Sequence, residues 1–159
     1  MGKRYYIAYG SNLNVAQMRY RCPDAKIAGI TELHGYELLY KGSKTGAYLT
    51  IEQKKDGIVP VAIWEVSAAD EKRLDIYEGF PDFYYKKQLT INLQDNKGKK
   101  SKAKAFVYIM HEERKLGKPT WNYIECCKDG YDFFGFDKNY LDEAFDRSVK
   151  GAKYNEREW

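Results

Sequence analysis

The sequence predicts an α+β domain in which helices flank a small, mixed and strongly curved β-sheet. Strand-like segments come first, one helix separates two groups of strands, and helices close the chain. Regular alternation of strand and helix is missing, which argues against a doubly wound parallel sheet. A length of 159 residues fits one domain. We expect this domain to span residues 1–150, followed by a charged C-terminal tail at 151–159.

The strands are predicted from short runs of β-favouring residues bounded by turn formers. In one of them Tyr36, Leu38 and Tyr40 recur at a period of two, which is typical of a half-buried strand. A break is expected at 34–35 in that segment, and the Asp-Gly pair at 56–57 is a strong turn signal. The predicted strands are 4–8, 26–40, 47–52, 58–66, 84–93 and 102–110.

The helices are predicted from residues whose side chains cap the first turn, namely Asn14, Ser67 and Thr120. Ser67 begins the helix that separates the two groups of strands, with Glu71 one residue past the capping-box position. Gly79 is expected to end that helix. The predicted helices are 15–20, 68–78, 121–127 and 140–149, with a loop rich in glycine and aromatic residues between the last two.

Composition excludes several classes of protein. No apolar run approaches the roughly 20 residues of a spanning helix, and no secretory signal follows the first basic residues, so no membrane partner is expected. Three cysteines cannot form a disulfide framework, which favours reduced thiols and a cytoplasmic location. A net charge of +4 is too small to predict a nucleic-acid partner. The 15 tyrosines suit either a polar ligand pocket or a core and its rim.

Several apparent motifs lack a required element. The segment 42–46 has letters of a phosphate loop, but a strand follows it where a helix should begin. His111 opens a zinc-helix pattern in which lysine stands where the second histidine is needed. Ser11 is outside a nucleophile elbow, and Cys126 at helical spacing is typical of a buried side chain. The lysines at 97–104 are typical of a solvated hairpin turn. We therefore expect no metal site and no serine, cysteine or phosphate-loop chemistry.

The segment from Tyr9 to Leu13 is the first candidate site, because it turns from the first strand towards a helix. Gly10 permits close approach to the backbone. Free N–H groups at such a turn form a small anion or oxyanion site. Gly-Ser-Asn is also ordinary turn chemistry, so this pattern alone leaves both interpretations open.

Glu78 is the second candidate, because it falls in the last turn of a predicted helix, just before Gly79. A helix C-terminus disfavours a carboxylate by roughly 0.3–1 kcal/mol. Burial and the helix dipole would both raise its pKa towards the range of a general base at neutral pH. The alternative is an exposed glutamate beside a helix cap.

Together these segments resemble the γ-glutamylcyclotransferase-like family. The matching segments are Tyr-Ile-Ala-Tyr-Gly-Ser-Asn-Leu at 6–13 and Asp-Ile-Tyr-Glu-Gly-Phe-Pro at 75–81. Further matches are Tyr-Ile-Met at 108–110, Gly-Lys-Pro-Thr-Trp-Asn-Tyr at 117–123, Gly-Tyr at 130–131 and Tyr-Leu at 140–141. The likeness extends over most of the chain and keeps the family's order.

The resemblance implies a barrel-like core beside helices and an intramolecular reaction. In this family the α-amine of a γ-glutamyl group attacks its own γ-carbonyl, releasing 5-oxoproline and an amine or amino acid without a cofactor. Glu78 matches the family's catalytic acid/base, and Tyr84 is a further candidate. The residues implied to bind the small γ-glutamyl substrate are Tyr9, Gly10, Ser11, Asn12, Leu13 and, less directly, Tyr123. A non-catalytic γ-glutamyl-binding module and an RNA-interacting basic domain remain alternatives, and the leaving amine and oligomeric state stay open.

Overall fold

The computed structural model describes residues 2–154 and has the predicted α+β architecture. Within that range, five strands form a closed barrel, and four helices and one 3₁₀ turn at Ser11–Leu13 flank it. The strands are β1 (Arg4–Ala8), β2 (Lys26–Lys41), β3 (Tyr48–Val66), β4 (Tyr84–Gln94) and β5 (Lys100–Met110). The helices are α1 (Val15–Arg21), α2 (Ala68–Glu78), α3 (Trp121–Phe134) and α4 (Asn139–Tyr154).

The barrel is mixed, as predicted, because one parallel pair closes an otherwise antiparallel sheet. Strands follow the order β1-β3-β2-β4-β5, and β1 lies parallel to β5 with Tyr5 opposite Ala105. The junction between β2 and β4 is short, with the single pair Ile30 and Gln94. Closure brings the end of β1, α2 and β5 to one side of the barrel.

One expected turn is wrong: Asp56 and Gly57 do not separate two strands. They lie inside the continuous strand β3, where Asp56 has a left-handed φ of 62°. A Cβ at Gly57 would lie 2.3 Å from the carbonyl oxygen of Tyr36. The Asp-Gly pair therefore lies at a register shift in the antiparallel pairing of β3 with β2, opposite the predicted break at 34–35.

Helix α2 has the predicted limits, and both of its ends have defined caps. The Ser67 side chain accepts a hydrogen bond from the Asp70 N–H, and the Asp70 carboxylate accepts one from the Ser67 N–H. Asp70, rather than Glu71, therefore completes the capping box. At the other end Gly79 adopts the left-handed conformation with φ 64°, so Glu78 is the last helical residue.

The last two helices are longer than predicted. The expected loop after Cys127 is wrong, because α3 continues to Phe134 and contains Gly130. A Cβ on Gly130 would lie 2.6 Å from the Leu13 carbonyl carbon, so glycine here permits close helix packing. Helix α4 extends beyond its predicted end at Val149. Residues 155–159 of the predicted tail lie outside the described residues.

The core fills the barrel and the space beneath the helices. Its largest fully buried side chains are Trp64, Tyr40, Tyr108, Tyr131 and Phe106. Aromatic burial on this scale contributes strongly to stability. No helix among residues 2–154 is long and apolar enough to span a membrane.

Candidate functional site

A cavity of about 370 Å³ lies where the bend after β1 meets the end of α2. The structure brings six of the predicted site residues into its lining: Tyr9, Gly10, Ser11, Asn12, Glu78 and Tyr123. Leu13 is not in the lining; it is fully buried beneath the bend. Seven lining residues are tyrosines, which gives the cavity apolar walls with hydroxyl groups.

The bend is built from Gly10 and the 3₁₀ turn that follows β1. The Leu13 N–H donates to the Gly10 carbonyl oxygen at 3.0 Å. The first N–H groups of a helical turn have no acceptor within it, so those of Ser11 and Asn12 are not used within the turn. A Cβ at Gly10 would lie 3.3 Å from the Tyr123 hydroxyl. Glycine thus lets the backbone line the cavity at close range.

The Asn12 amide lies at the centre of the hydrogen bonds behind the bend. Its Nδ2 donates to the Tyr6 hydroxyl at 2.8 Å and lies 3.4 Å from Oε1 of Glu78. Its Oδ1 accepts a hydrogen bond from Arg21, and its backbone oxygen accepts one from Trp64 Nε1 at 3.1 Å. With 3% of its surface exposed, Asn12 is a buried polar residue whose amide is hydrogen-bonded on both sides.

Glu78 lines the cavity from the last position of α2. The Glu78 residue is half-buried. Burial raises the pKa of its carboxyl to about 7, although the nearby charge of Arg21 lowers that pKa by a smaller amount. Asn12 Nδ2 donates a hydrogen bond to Glu78, at the long distance of 3.4 Å. The geometry therefore disagrees with the alternative of a freely exposed glutamate beside a cap.

Two further contacts connect Tyr77 of α2 to the bend and to α1. The Ser11 Oγ lies 3.3 Å from the Tyr77 hydroxyl. The Arg21 guanidinium stacks on the ring of the same Tyr77, with its Cζ 3.4 Å from the ring centroid. These contacts hold the two halves of the site together although they lie 66 residues apart along the chain.

The remaining wall is made of tyrosines whose hydroxyls are bonded to the barrel backbone. The Tyr123 hydroxyl accepts from the Leu49 N–H at 3.0 Å, and Tyr84 donates to the Leu49 carbonyl at 2.8 Å. Tyr9 donates to the Tyr108 carbonyl at 2.7 Å. Burial raises the pKa of Tyr9, Tyr84 and Tyr123 well above 10, so these phenols are neutral at physiological pH.

Sequence reasoning missed several residues of the site. Tyr6 and Tyr108 come from different strands, and Arg21 ends α1 behind the wall. Strand periodicity contains a signal for Tyr6. Residues two apart lie on one face of a strand, and steps of two from Tyr6 pass Ala8 and reach Gly10. For Arg21 the sequence contains none, because its partner Asn12 is reached only after the chain has folded.

The site offers one acid with a near-neutral pKa, neutral phenols and backbone N–H groups. No lysine or arginine lines the cavity within residues 2–154. In the same range, no group of three or more His, Cys, Asp or Glu side chains could hold a metal ion. The arrangement suits proton transfer at a small polar ligand held against apolar walls.

Comparisons with known proteins identify related chains. The family model described as gamma-glutamyl cyclotransferase, AIG2-like, matches residues 6–125. A solved γ-glutamyl cyclotransferase shares 21% identity with a TM-score of 0.73, over 89% of this chain and 86% of that one. An uncharacterized protein from Homo sapiens shares 22% with a TM-score of 0.74, over 91% and 87%.

A γ-glutamyl cyclotransferase specific to glutathione from yeast shares 11% identity with a TM-score of 0.62, over 94% of this chain and 96% of that one. At these identities the solved structures establish a shared fold. No curated protein matches the sequence.

Proposed function

Because the chain belongs to the gamma-glutamyl cyclotransferase, AIG2-like family, we propose that it catalyses release of 5-oxoproline from a γ-glutamyl compound. Glu78 acts as the acid and base. The observation that carries the proposal is a carboxyl with a pKa of about 7 that faces the glycine-containing bend across a cavity.

The reaction needs no covalent nucleophile, because attacking and attacked groups belong to one molecule. The free α-amine attacks the γ-carbonyl carbon, a C–N bond forms, and the carbonyl electron pair moves to oxygen. Glu78 takes the excess proton from the attacking nitrogen and gives it to the leaving nitrogen as the γ-amide bond breaks. The proton lost in forming the free amine is regained from solvent by the released amine.

The pKa of Glu78 suits both halves of that transfer. At pH 7 a carboxyl with a pKa of about 7 is present in comparable amounts as base and acid, which is the condition for efficient proton shuttling. A positioned acid/base of this kind contributes about 10²–10⁴-fold to rate. Burial in the tyrosine-lined cavity is the physical cause of the raised pKa.

The rest of the lining supports binding and orientation. Backbone N–H groups at Ser11 and Asn12 are suited to the oxyanion that develops on the γ-carbonyl. The walls of Tyr9 and Tyr123 restrict how a flexible γ-glutamyl chain can lie. Holding amine and carbonyl in contact removes part of the entropy barrier to ring closure, up to about 7–11 kcal/mol in ideal cases.

The test is a screen of γ-glutamyl compounds for 5-oxoproline release by mass spectrometry, with Glu78→Gln beside the wild type. Glutamine keeps the shape of the side chain and removes the proton transfer, so kcat should fall by about 100-fold or more. Glu113→Gln is the matched control, because Glu113 is exposed and outside the cavity. Its kcat should equal that of the wild type.

Two results would overturn the proposal. A Glu78→Gln protein with near-normal release of 5-oxoproline would remove Glu78 from the mechanism. Tight calorimetric binding of γ-glutamyl compounds with no product from any of them would instead favour the alternative, a γ-glutamyl-binding module without turnover.

A further inference from the structure

Arg21 lies behind the cavity wall and contacts two of its lining residues. It is the last residue of α1, and its guanidinium donates to Oδ1 of Asn12. The same guanidinium stacks on Tyr77 with Cζ 3.4 Å from the ring centroid. It therefore connects α1 to both halves of the site without lining the cavity itself.

The hydrogen-bonding capacity of arginine fixes which way the Asn12 amide faces. A guanidinium has only donors, so Arg21 can bond only the carbonyl side of that amide. The NH₂ side must then face Tyr6, 2.8 Å away, and Glu78, 3.4 Å away. The flipped amide would set NH₂ groups against the guanidinium and an oxygen against the carboxyl, which are two repulsive contacts.

We propose that Arg21 is a positioning residue, which locks the Asn12 amide with its NH₂ towards Glu78 and, through that amide and its own charge, favours the carboxylate form of Glu78. Its part in turnover rests on the proposed function, whereas its effect on Glu78 does not. The stacked position on Tyr77 keeps the guanidinium in place, because cation and ring face are held in contact.

Arg21 is the charged partner among the groups that interact with Glu78. The phenols that face this carboxyl come from β1, the bend, α2, β4 and β5: Tyr6, Tyr9, Tyr77, Tyr84 and Tyr108. Burial raises the pKa of each above its ordinary value, so all are neutral between pH 5 and 9. Over that range the charge that acts on the Glu78 carboxyl is therefore that of the Arg21 guanidinium.

The first test measures Glu78 directly, without substrate. The carboxyl of ¹³C-labelled glutamate is titrated by NMR, and the Glu78 signal is assigned by its absence in Glu78→Gln. Arg21→Met keeps the aliphatic stem and removes the charge and the donors. The titration midpoint should rise from about 7 by roughly one pH unit, whereas Arg19→Met, an exposed arginine of the same helix, should leave it unchanged.

A second variant separates geometry from charge. Arg21→Lys keeps a cation and loses the planar fork and the stack, so its midpoint should lie between those of the wild type and Arg21→Met. It also keeps the test decisive if Arg21→Met does not fold. An unmoved midpoint in the folded variants would overturn the proposal.

The kinetic test asks whether Arg21 acts through Asn12. In the wild-type background, Arg21→Met should raise the pH at which the acid limb of kcat/KM falls and should lower kcat about tenfold at pH 7. In an Asn12→Ala background the same change should lower kcat by a clearly smaller factor, because the part of the effect that passes through the amide is gone while the direct attraction between guanidinium and carboxylate remains. Equal losses in both backgrounds, with an unmoved limb, would show a merely structural role.

The outcomes separate the two proposals. A raised Glu78 midpoint in Arg21→Met together with no 5-oxoproline from the wild type would retain the role of Arg21 and overturn the proposed function. Turnover by the wild type together with an unmoved Glu78 midpoint in Arg21→Met would support the proposed function and overturn the role of Arg21.

Discussion

Two regions meet in the cavity, and they treat their buried polar groups in opposite ways. In the bend, the Asn12 amide bonds Tyr6 on one side and Arg21 on the other, and Trp64 bonds the Asn12 backbone oxygen. At the end of α2, the carboxyl of Glu78 has one long hydrogen bond and a pKa raised to about 7 by burial.

The Asn12 amide therefore stabilises the folded state, whereas the ionised carboxyl of Glu78 destabilises it. A buried amide with its hydrogen bonds made contributes to stability, whereas a poorly paired buried acid opposes it. An acid kept in such an environment is typical of a functional site. The two regions should therefore respond to substitution with opposite signs.

The largest expected effect is that of Asn12→Ala. Removal of the amide leaves the Tyr6 hydroxyl without its donor and Arg21 without its acceptor, and it opens a gap beneath the bend. We expect the free energy of unfolding to fall by about 3 kcal/mol, as measured by urea denaturation at pH 7. A loss below about 1 kcal/mol would contradict the view that the bend depends on this amide.

The next effect has the opposite sign: Glu78→Gln should stabilise the protein at high pH. The folded-state pKa of about 7 exceeds the ordinary 4.5, so the wild type loses stability as pH rises from about 4 to 7, while the unfolded chain ionises first. The full shift corresponds to about 3 kcal/mol, and partial exposure reduces the expected gain to about 2 kcal/mol.

Urea denaturation of the two proteins at pH 4 and pH 8 tests this sign. The free energy of unfolding of Glu78→Gln should exceed that of the wild type at pH 8. The two should agree at pH 4, where Glu78 of the wild type is protonated in both the folded and the unfolded state. Glu113→Gln supplies the control for an exposed glutamate. A variant less stable than the wild type at pH 8 would show that Glu78 is well paired, and the contrast with Asn12 would fail.

Local chemistry explains which parts of the molecule the sequence predicts. The caps at Asn14, Ser67 and Thr120 form as expected, because each needs only the next three residues. The position of Glu78 at the end of α2 follows from the neighbouring Gly79 for the same reason.

What was mispredicted depends on contacts between distant segments. Asp56 and Gly57 have turn chemistry, yet β3 continues through them, with the Gly57 backbone close to the Tyr36 carbonyl oxygen at a register shift between the two strands. Gly130 signals a loop in sequence, but packing against Leu13 makes it a helical residue. The same limit hid Arg21 from sequence reasoning, since it reaches Asn12 only when α1 folds back on the bend.

Gly79→Ala sharpens the comparison at the helix end. Gly79 has a left-handed φ of 64°, and a Cβ there would lie 3.1 Å from the Cβ of Phe83. Strain should lower the free energy of unfolding by about 1–2 kcal/mol. It should also reduce kcat/KM several-fold, because the neighbouring Glu78 is displaced.

Gly135→Ala is the matched control for that change. Gly135 caps α3 with a left-handed φ of 73° and has open space around its Cβ position. It should lose about 1 kcal/mol with unchanged kcat/KM, since it is outside the site cavity. Equal activities for the two variants would mean that the cap does not position Glu78.

Ser67→Ala changes the opposite end of α2 and has the smallest expected effect. It removes the side-chain oxygen that accepts from the Asp70 N–H at 3.0 Å, which should lower the free energy of unfolding by about 1 kcal/mol. If the end of α2 is held by Gly79 and by the contact of Tyr77 with Ser11, kcat/KM at pH 8 should stay within twofold of the wild type. A large loss of activity would show instead that the position of Glu78 depends on the whole helix. The two regions of the site would then differ in how their polar groups are hydrogen-bonded, but neither would be held in place by local contacts alone.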